Sequence, residues 1–195
     1  SDLFIVAMER YTKEKTFAII DEKLKSIREK FQKDQQMDMA EFYDLFTRSN
    51  ELIHVVDCRS QEEFDECHIS GAYTLADYYA HTEWRGLPIR AFFYSRIGER
   101  SAAAVEEALK QGIKAYNVNG GLIEWLHYNG YCDFKDDGEE KRVNVVDKEF
   151  APMVPEGMTP VFREDCACLF APDPLAAFLA GFAQLVSTCL VSRRS

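Results

Sequence analysis

The residues best placed to do chemistry lie in one short run, Tyr94-Ser95-Arg96-Ile97-Gly98-Glu99-Arg100-Ser101. An apolar run typical of a β-strand, 89–94, leads into it, and a helix-favouring stretch leads out and stops at Gly112. In such an arrangement, backbone N–H groups and the positive end of the helix dipole can surround an anion. Arg96 and Arg100 add guanidinium groups suited to sulfur or phosphorus oxyanions. The loop is therefore predicted to bind a small oxyanion weakly.

The chemistry of this loop depends on the side chain at position 95. A thiol there would have its pKa lowered by the positive surroundings and would become a nucleophilic thiolate. The residue is Ser95, and a hydroxyl needs an adjacent base, which the motif does not supply. No catalytic residue is therefore expected, although Ser95 occupies the position that a nucleophile would take.

The run resembles the active loop of rhodanese-like domains, Cys-Arg-x-Gly-x-Arg-Ser/Thr, at every fixed position except the nucleophile, where Ser95 stands in place of Cys. Three further segments resemble family motifs in the expected order. They are a strand ending in Asp-x-Arg at 54–59, a variant of Gly-His-Ile-x-Gly-Ala at 67–72, and a closing strand with a Gly-Gly turn at 112–121. The resemblance covers residues 38–133. It implies an α/β fold with a central parallel sheet flanked by helices.

Individual residues of these motifs have plain structural interpretations. Asp57 and Arg59 are predicted to support the loop as a structural ion pair at a strand end. His68 is expected to pack against neighbouring backbone, and Gly120-Gly121 to form a turn that requires positive φ. Trp125 is expected in the core.

Two classes of function stay open at this point. One is a non-catalytic rhodanese-like module that acts as a structural or interaction subunit of a larger assembly, with or without attachment to a membrane. The other is a sulfurtransferase of the thiosulfate or mercaptopyruvate type, if Ser95 stands in for a native cysteine. A phosphatase is disfavoured because Ser95 and Arg100 enclose four residues, as in sulfurtransferases, whereas related phosphatases have five.

Composition narrows the choice of partners. The net charge of −10 repels phosphate backbones, so nucleic acid is not expected as a partner. The six cysteines include no CxxC pair, and the histidines show no zinc spacing. We therefore expect neither a metal nor a cofactor, and we expect reduced thiols in an intracellular protein.

The N-terminal region, 1–37, has no strong helix breaker and is predicted to form one amphipathic helix over residues 3–35. Its apolar residues recur at steps of four and three: Phe4, Met8, Tyr11, then Ile20, Leu24, Ile27 and Phe31. This stripe could pack across the core of the same chain or dock on another subunit. A second helix is predicted at 39–47.

The C-terminal arm, 134–195, contains five of the six prolines: Pro152, Pro155, Pro160, Pro172 and Pro174. Its first part, Val143–Asp173, is predicted to be an extended or irregular strap. The stretch 174–192 is uncharged and ends before Arg193-Arg194. It has the length of a membrane span, and its small residues also suit a helix docked on protein. Both arms are therefore expected to contact other subunits, and 174–192 to offer a membrane contact.

The first residue is Ser1 rather than Met. A removed targeting peptide, which would indicate a mitochondrial location, and a shortened sequence both give such a start.

Overall fold

The computed structural model describes residues 9–81, 87–135 and 140–162. The chain divides into two units, Ser1–Glu164 and Asp165–Ser195, and every described residue lies in the first. The described strands are β1 Gln36–Asp38, β2 Ile53–Asp57, β3 Cys67–Ile69, β4 Tyr73–Thr74, β5 Arg90–Tyr94, β6 Ala115–Asn119, β7 Cys132–Phe134, β8 Arg142–Val146 and β9 Thr159–Phe162. The described helices are α1 Lys13–Lys30, α2 Met39–Arg48, α3 Gln61–Glu66, α4 Leu75–Ala80, α5 Glu99–Lys110 and α6 Gly121–His127, with short 3₁₀ helices at Lys33–Gln35 and Lys148–Met153.

The central sheet is parallel, with strand order β1-β6-β5-β2-β4. Strand β5 lies in the middle, and its residues 91–94 are fully buried, as expected for a parallel strand covered on both faces. Helix α5 packs against β5 and β6, α2 against β6, and α4 against β2. The predicted α/β fold with a parallel sheet flanked by helices is confirmed. Two smaller sheets accompany it, an antiparallel β3–β7 pair and a parallel β8–β9 pair.

The N-terminal helix is shorter than the predicted 3–35. Helix α1 begins at Lys13, where the Thr12 side chain accepts a hydrogen bond from the backbone N–H of Lys15 (3.2 Å). It ends at Lys30, because Phe31 is extended and the chain then forms β1, which pairs with β6. The prediction was wrong here because pairing at the sheet edge overrides local helix propensity. The predicted residues 3–8 lie outside the described part.

The apolar stripe of α1 packs on the core of its own domain. Ile20 and Leu24 are fully buried in the same cluster as Phe42 of α2 and Trp125 of α6. Phe31, which directly follows the helix, is also nearly buried. The first of the two interpretations of this helix is therefore correct for its described part. Trp125 lies in the core, as expected.

The strap Val143–Asp173 is more regular than predicted over its described part. It contains most of β8, the 3₁₀ helix Lys148–Met153 and β9, and the β8–β9 pair is parallel. The prediction of an irregular strap was wrong because its apolar side chains pack into the common core, which includes Val143, Val145, Phe150, Val154 and Phe162. Among described residues, no helix is long and apolar enough to cross a membrane. The predicted segment 174–192 lies outside them.

Helix α6 begins in very close contact with the loop that follows β5. Gly120 and Gly121 both have positive φ (92° and 53°), which confirms the predicted turn. A Cβ atom on Gly121 would overlap the carbonyl oxygen of Ser95 and the backbone of Arg96. A glycine is therefore required at this point by both conformation and space.

We predict that Gly121→Ala destabilises the protein far more than Gly112→Ala. Gly112 has a similar φ of 77° but open space around its Cβ position, so its substitution should cost about 1 kcal/mol of backbone strain alone. Gly121→Ala adds an overlap with backbone and should cost at least about 3 kcal/mol. Urea unfolding of the two variants measures the difference. Equal losses would show that α6 does not approach the loop this closely.

Candidate anion-binding site

The loop lies at the carboxyl edge of the central sheet, between the end of β5 at Tyr94 and the start of α5 at Glu99. Gly98 is the N-cap of α5 and has φ of 114°, and a Cβ there would come within 3.1 Å of the Val118 carbonyl oxygen. The helix start can therefore sit against β6 only because residue 98 is a glycine.

The carbonyl groups of residues 95–97 bind the start of α6. Ser95 O accepts from Leu122 N (2.9 Å), Arg96 O from Ile123 N (3.0 Å) and Ile97 O from Gly120 N (2.9 Å). Because C=O and N–H point in opposite directions across a trans peptide, the N–H groups of residues 96–98 point away from α6.

These N–H groups and the N-terminus of α5 together supply the donors of a candidate anion site. The N–H of Gly98 donates to Ser95 Oγ (3.2 Å). Those of Arg96, Ile97, Glu99 and Arg100 donate to no other residue in the described part of the chain. The loop thus has the backbone polarity of an anion site.

Ser95 lies inside this loop and is 1% exposed. Its Oγ accepts from Gly98 N and lies 3.5 Å from Ser101 Oγ, which donates to Asn117 Oδ1 (2.6 Å). Within the described ranges, no imidazole, carboxylate or amine hydrogen-bonds to Ser95 Oγ. The hydroxyl has no base to activate it.

Arg100 is held by a buried carboxylate. Its two terminal nitrogens donate to Glu63 Oε1 and Oε2 (2.6 and 2.7 Å), and the Glu63 side chain is 1% exposed. Burial alone would raise the pKa of Glu63, but the hydrogen bonds and charge of Arg100, with the charge of Arg59, lower it to about 2. The Arg100 guanidinium therefore already carries its counter-ion.

Arg96 is held by the strap. Its Nη1 donates to Val145 O (2.6 Å) and to Asp147 Oδ2 (2.9 Å), and its Cζ lies 3.6 Å from the centre of the Phe150 ring. Burial and the neighbouring charge of Arg100 lower the pKa of Arg96, while Asp147 opposes that shift. Both loop guanidinium groups are thus paired with carboxylates of the chain. Arg96 Nε has no hydrogen-bond partner among the described residues, and the backbone N–H groups supply further donors.

Asp57 and Arg59 form a fully buried ion pair beside the loop (Nη2 to Oδ2, 2.6 Å; both side chains 0% exposed). Tyr94 donates to the same Asp57 oxygen (2.6 Å) and accepts from Ile69 N (3.1 Å). Arg59 Nη2 also donates to Cys67 O (2.6 Å). The cluster joins β2, β5 and β3, which is the structural role predicted for the Asp57–Arg59 pair.

Sequence reasoning missed three contributors to the site. Glu63 had a readable signal, since Ser60 and Glu63 form a capping box at the start of α3. For Tyr94 and Asn117 the sequence signal was weak, because it consisted only of a polar group in a strand predicted to be buried. Asn117 carries a chain of hydrogen bonds from Ser101 through Asn119 (3.0 Å) towards Asp38 of β1 (3.2 Å).

The other flagged side chains near the loop are structural. His68 bonds to Phe64 O through Nδ1 (2.9 Å) and stacks on the Phe64 ring, which confirms the packed histidine. Cys58 follows Asp57, and its N–H donates to Tyr94 O (2.8 Å), beside the loop. Burial and the Asp57 charge raise the pKa of the Cys58 thiol well above its ordinary value.

The described part of the chain offers neither an ionised thiol beside the loop nor a metal site. Burial raises the pKa of Cys67 to about 11, so the described thiols near the loop are protonated at neutral pH. In the described part of the chain, no group of three or more His, Cys, Asp or Glu side chains could hold a metal ion.

The family model for the rhodanese-like domain matches residues 38–128. A probable molybdopterin-synthase adenylyltransferase from Porphyra purpurea is 28% identical over 102 residues, which is 49% of this chain and 26% of that protein. The chain thus spans about a quarter of the length of this relative.

Among solved structures, a rhodanese-like domain protein from Staphylococcus aureus is 25% identical, with 47% of this chain and 90% of that chain covered and a TM-score of 0.42. The rhodanese-like domain of an Anabaena protein is 18% identical, with 58% and 92% covered and a TM-score of 0.47. From the family match, together with the parallel sheet and the loop at its carboxyl edge, we conclude that residues 38–128 of this chain are a rhodanese-like domain.

Proposed function

We propose that this rhodanese-like domain is a non-catalytic module that binds a small oxyanion at the loop 95–101 and does not transfer sulfur. The observation that carries the proposal is the state of Ser95. Its hydroxyl is buried among the loop donors, without a base among the described residues. The site therefore keeps the means to bind an anion and lacks the means to attack a substrate.

Sulfur transfer needs a thiolate that attacks, becomes a persulfide and is released again. A serine hydroxyl cannot form the persulfide. The neighbouring thiols Cys58 and Cys67 do not replace it, because burial keeps both protonated. The alternative function, a sulfurtransferase of the thiosulfate or mercaptopyruvate type, thus requires a cysteine at position 95.

Oxyanion binding is supported by the backbone rather than by the guanidinium groups. The N–H groups of Arg96 and Ile97 point away from α6, and those of Glu99 and Arg100 are unpaired at the start of α5 within the described residues. The α5 dipole adds positive potential there. Arg100 is neutralised by Glu63, and Arg96 by Asp147. Binding should therefore be weak, as the sequence predicts.

We also propose that the chain acts as a subunit of a larger assembly. The apolar stripe of α1 is buried within its own domain, so a partner would contact the outer face of α1 or the segment 174–192. The support for the latter is its uncharged sequence. Membrane association is proposed on the same ground.

We predict that the protein produces no thiocyanate from thiosulfate or mercaptopyruvate and cyanide above the level of Ser95→Ala. Ser95→Cys should place a thiol among the free N–H donors and give measurable activity, because these donors stabilise a thiolate. A sulfurtransferase assay of the three proteins makes the test. Activity of the unaltered protein above Ser95→Ala would contradict the proposal, and an inactive Ser95→Cys variant would show that the loop no longer suits this chemistry.

We predict that sulfate raises the melting temperature modestly, through preferential binding to the folded protein. Two substitutions should change this response in opposite directions. Arg100→Ala leaves the buried Glu63 carboxylate unpaired beside the loop and should abolish the response, whereas Glu63→Gln frees the charge of Arg100 and should enlarge it.

The control is Glu107→Gln, which removes the same charge from an exposed ion pair with Lys110 on α5. It should leave the sulfate response unchanged. Each variant is compared with its own melting temperature in chloride at equal ionic strength. A response that is the same in all four proteins would place the anion elsewhere on the molecule.

A further inference from the structure

The strap contacts the loop at Arg96, and this contact comes from outside the family match at 38–128. Val145 O and the Asp147 carboxylate both accept from Arg96 Nη1, at 2.6 and 2.9 Å. The Phe150 ring covers one face of the same guanidinium. The Arg96 guanidinium, which could otherwise bind an anion, is thus paired with the Asp147 carboxylate of the same chain.

The backbone that presents these groups is strained. Val146 has φ of +61°, which is unusual for a β-branched residue. Asp147 N donates to Val145 O across this residue (2.6 Å). Residues Val145–Asp147, which we call the strap turn, therefore form a γ-turn of the rare kind with positive φ. Strain of this type persists only where surrounding contacts maintain it, and it is typical of segments that change conformation.

One contact holds the strap turn itself, and two more hold the 3₁₀ helix that follows it. Asn144 Oδ1 accepts a hydrogen bond from Val146 N (3.0 Å), at the point where the pairing of β8 with β9 shifts its register. Arg10 donates to Ala151 O (2.6 Å), and Tyr11 N donates to Pro152 O (2.7 Å). Asp147, in contrast, has a side chain that is 41% exposed, so its bond to Arg96 lies at the solvent boundary.

We propose that the strap turn is an autoinhibitory contact that competes with oxyanions for Arg96. This inference rests on the proposed function, in which the loop binds an oxyanion. Val145 O and Asp147 occupy Nη1 of Arg96, so this nitrogen is not available to an anion while the turn is closed. An anion that takes Nη1 must open the turn, so that opening the turn and binding the anion favour each other.

The first test is the affinity of the full chain for sulfate at constant ionic strength, measured by calorimetric titration of the parent and two variants. Asp147→Ala removes the carboxylate from Arg96 and should bind sulfate at least about fivefold more tightly, the lower end of usual coupling between sites. Glu149→Ala is the matched control. It removes a carboxylate that pairs with Lys23 (3.4 Å) instead, and its affinity should equal that of the parent.

The second test changes no charge. Asn tolerates positive φ better than a β-branched residue, so Val146→Asn should stabilise the closed turn and weaken sulfate binding relative to the parent. Hydrogen exchange of the Asp147 amide gives an independent reading. It should accelerate when sulfate is added to the parent, because binding opens the turn.

The outcomes separate this proposal from the one on which it rests. If sulfate binds the parent and Asp147→Ala equally, the strap turn does not compete, and oxyanion binding by the loop stands. An equal gain in sulfate affinity in Glu149→Ala would show that the loss of any nearby negative charge strengthens binding, and it would overturn the proposal. Binding to neither the parent nor Asp147→Ala would overturn both proposals, whereas binding to Asp147→Ala alone supports the autoinhibitory contact.

Discussion

The hydrogen bonds from the start of α6 to the loop carbonyls determine the polarity of the whole site. Leu122, Ile123 and Gly120 donate to consecutive carbonyl groups of residues 95–97, and the peptide planes then direct the N–H groups to the other side. This approach is possible because Gly121 has no side chain to collide with Ser95. The donors are therefore aligned during folding, before any ligand binds, which reduces the reorganisation that anion binding would require.

Two internal carboxylates set how strongly this donor surface can attract an anion. The Glu63 carboxylate of the Glu63–Arg100 pair is buried, and removing its charge from water costs free energy that the attraction to Arg100 must offset. The bidentate geometry and the capping-box N–H of Ser60 on Glu63 supply that compensation. Asp147 of the strap forms a similar ion pair with Arg96. The site thus holds its cations in place with carboxylates of an acidic chain, which is consistent with binding without catalysis.

Sequence patterns predicted the local features of this structure and missed the distant ones. The loop 95–101, the Gly120-Gly121 turn and the Asp57–Arg59 pair each depend on residues close together in the chain, so their spacing was informative. The Arg96–Asp147 contact joins residues 51 positions apart, and no periodic pattern encodes such a pair. The end of α1 and the β8–β9 pairing were missed for the same reason, because strand partners are chosen by tertiary packing.

The central claim is that backbone N–H groups of the loop receive the oxyanion. Amide nuclear magnetic resonance of the ¹⁵N-labelled chain during a sulfate titration, at constant ionic strength, tests it most directly. The account predicts saturable shifts concentrated on the amides of Arg96, Ile97, Glu99 and Arg100, with little change in α3 or β7. Saturable shifts elsewhere, with those four amides unmoved, would contradict it.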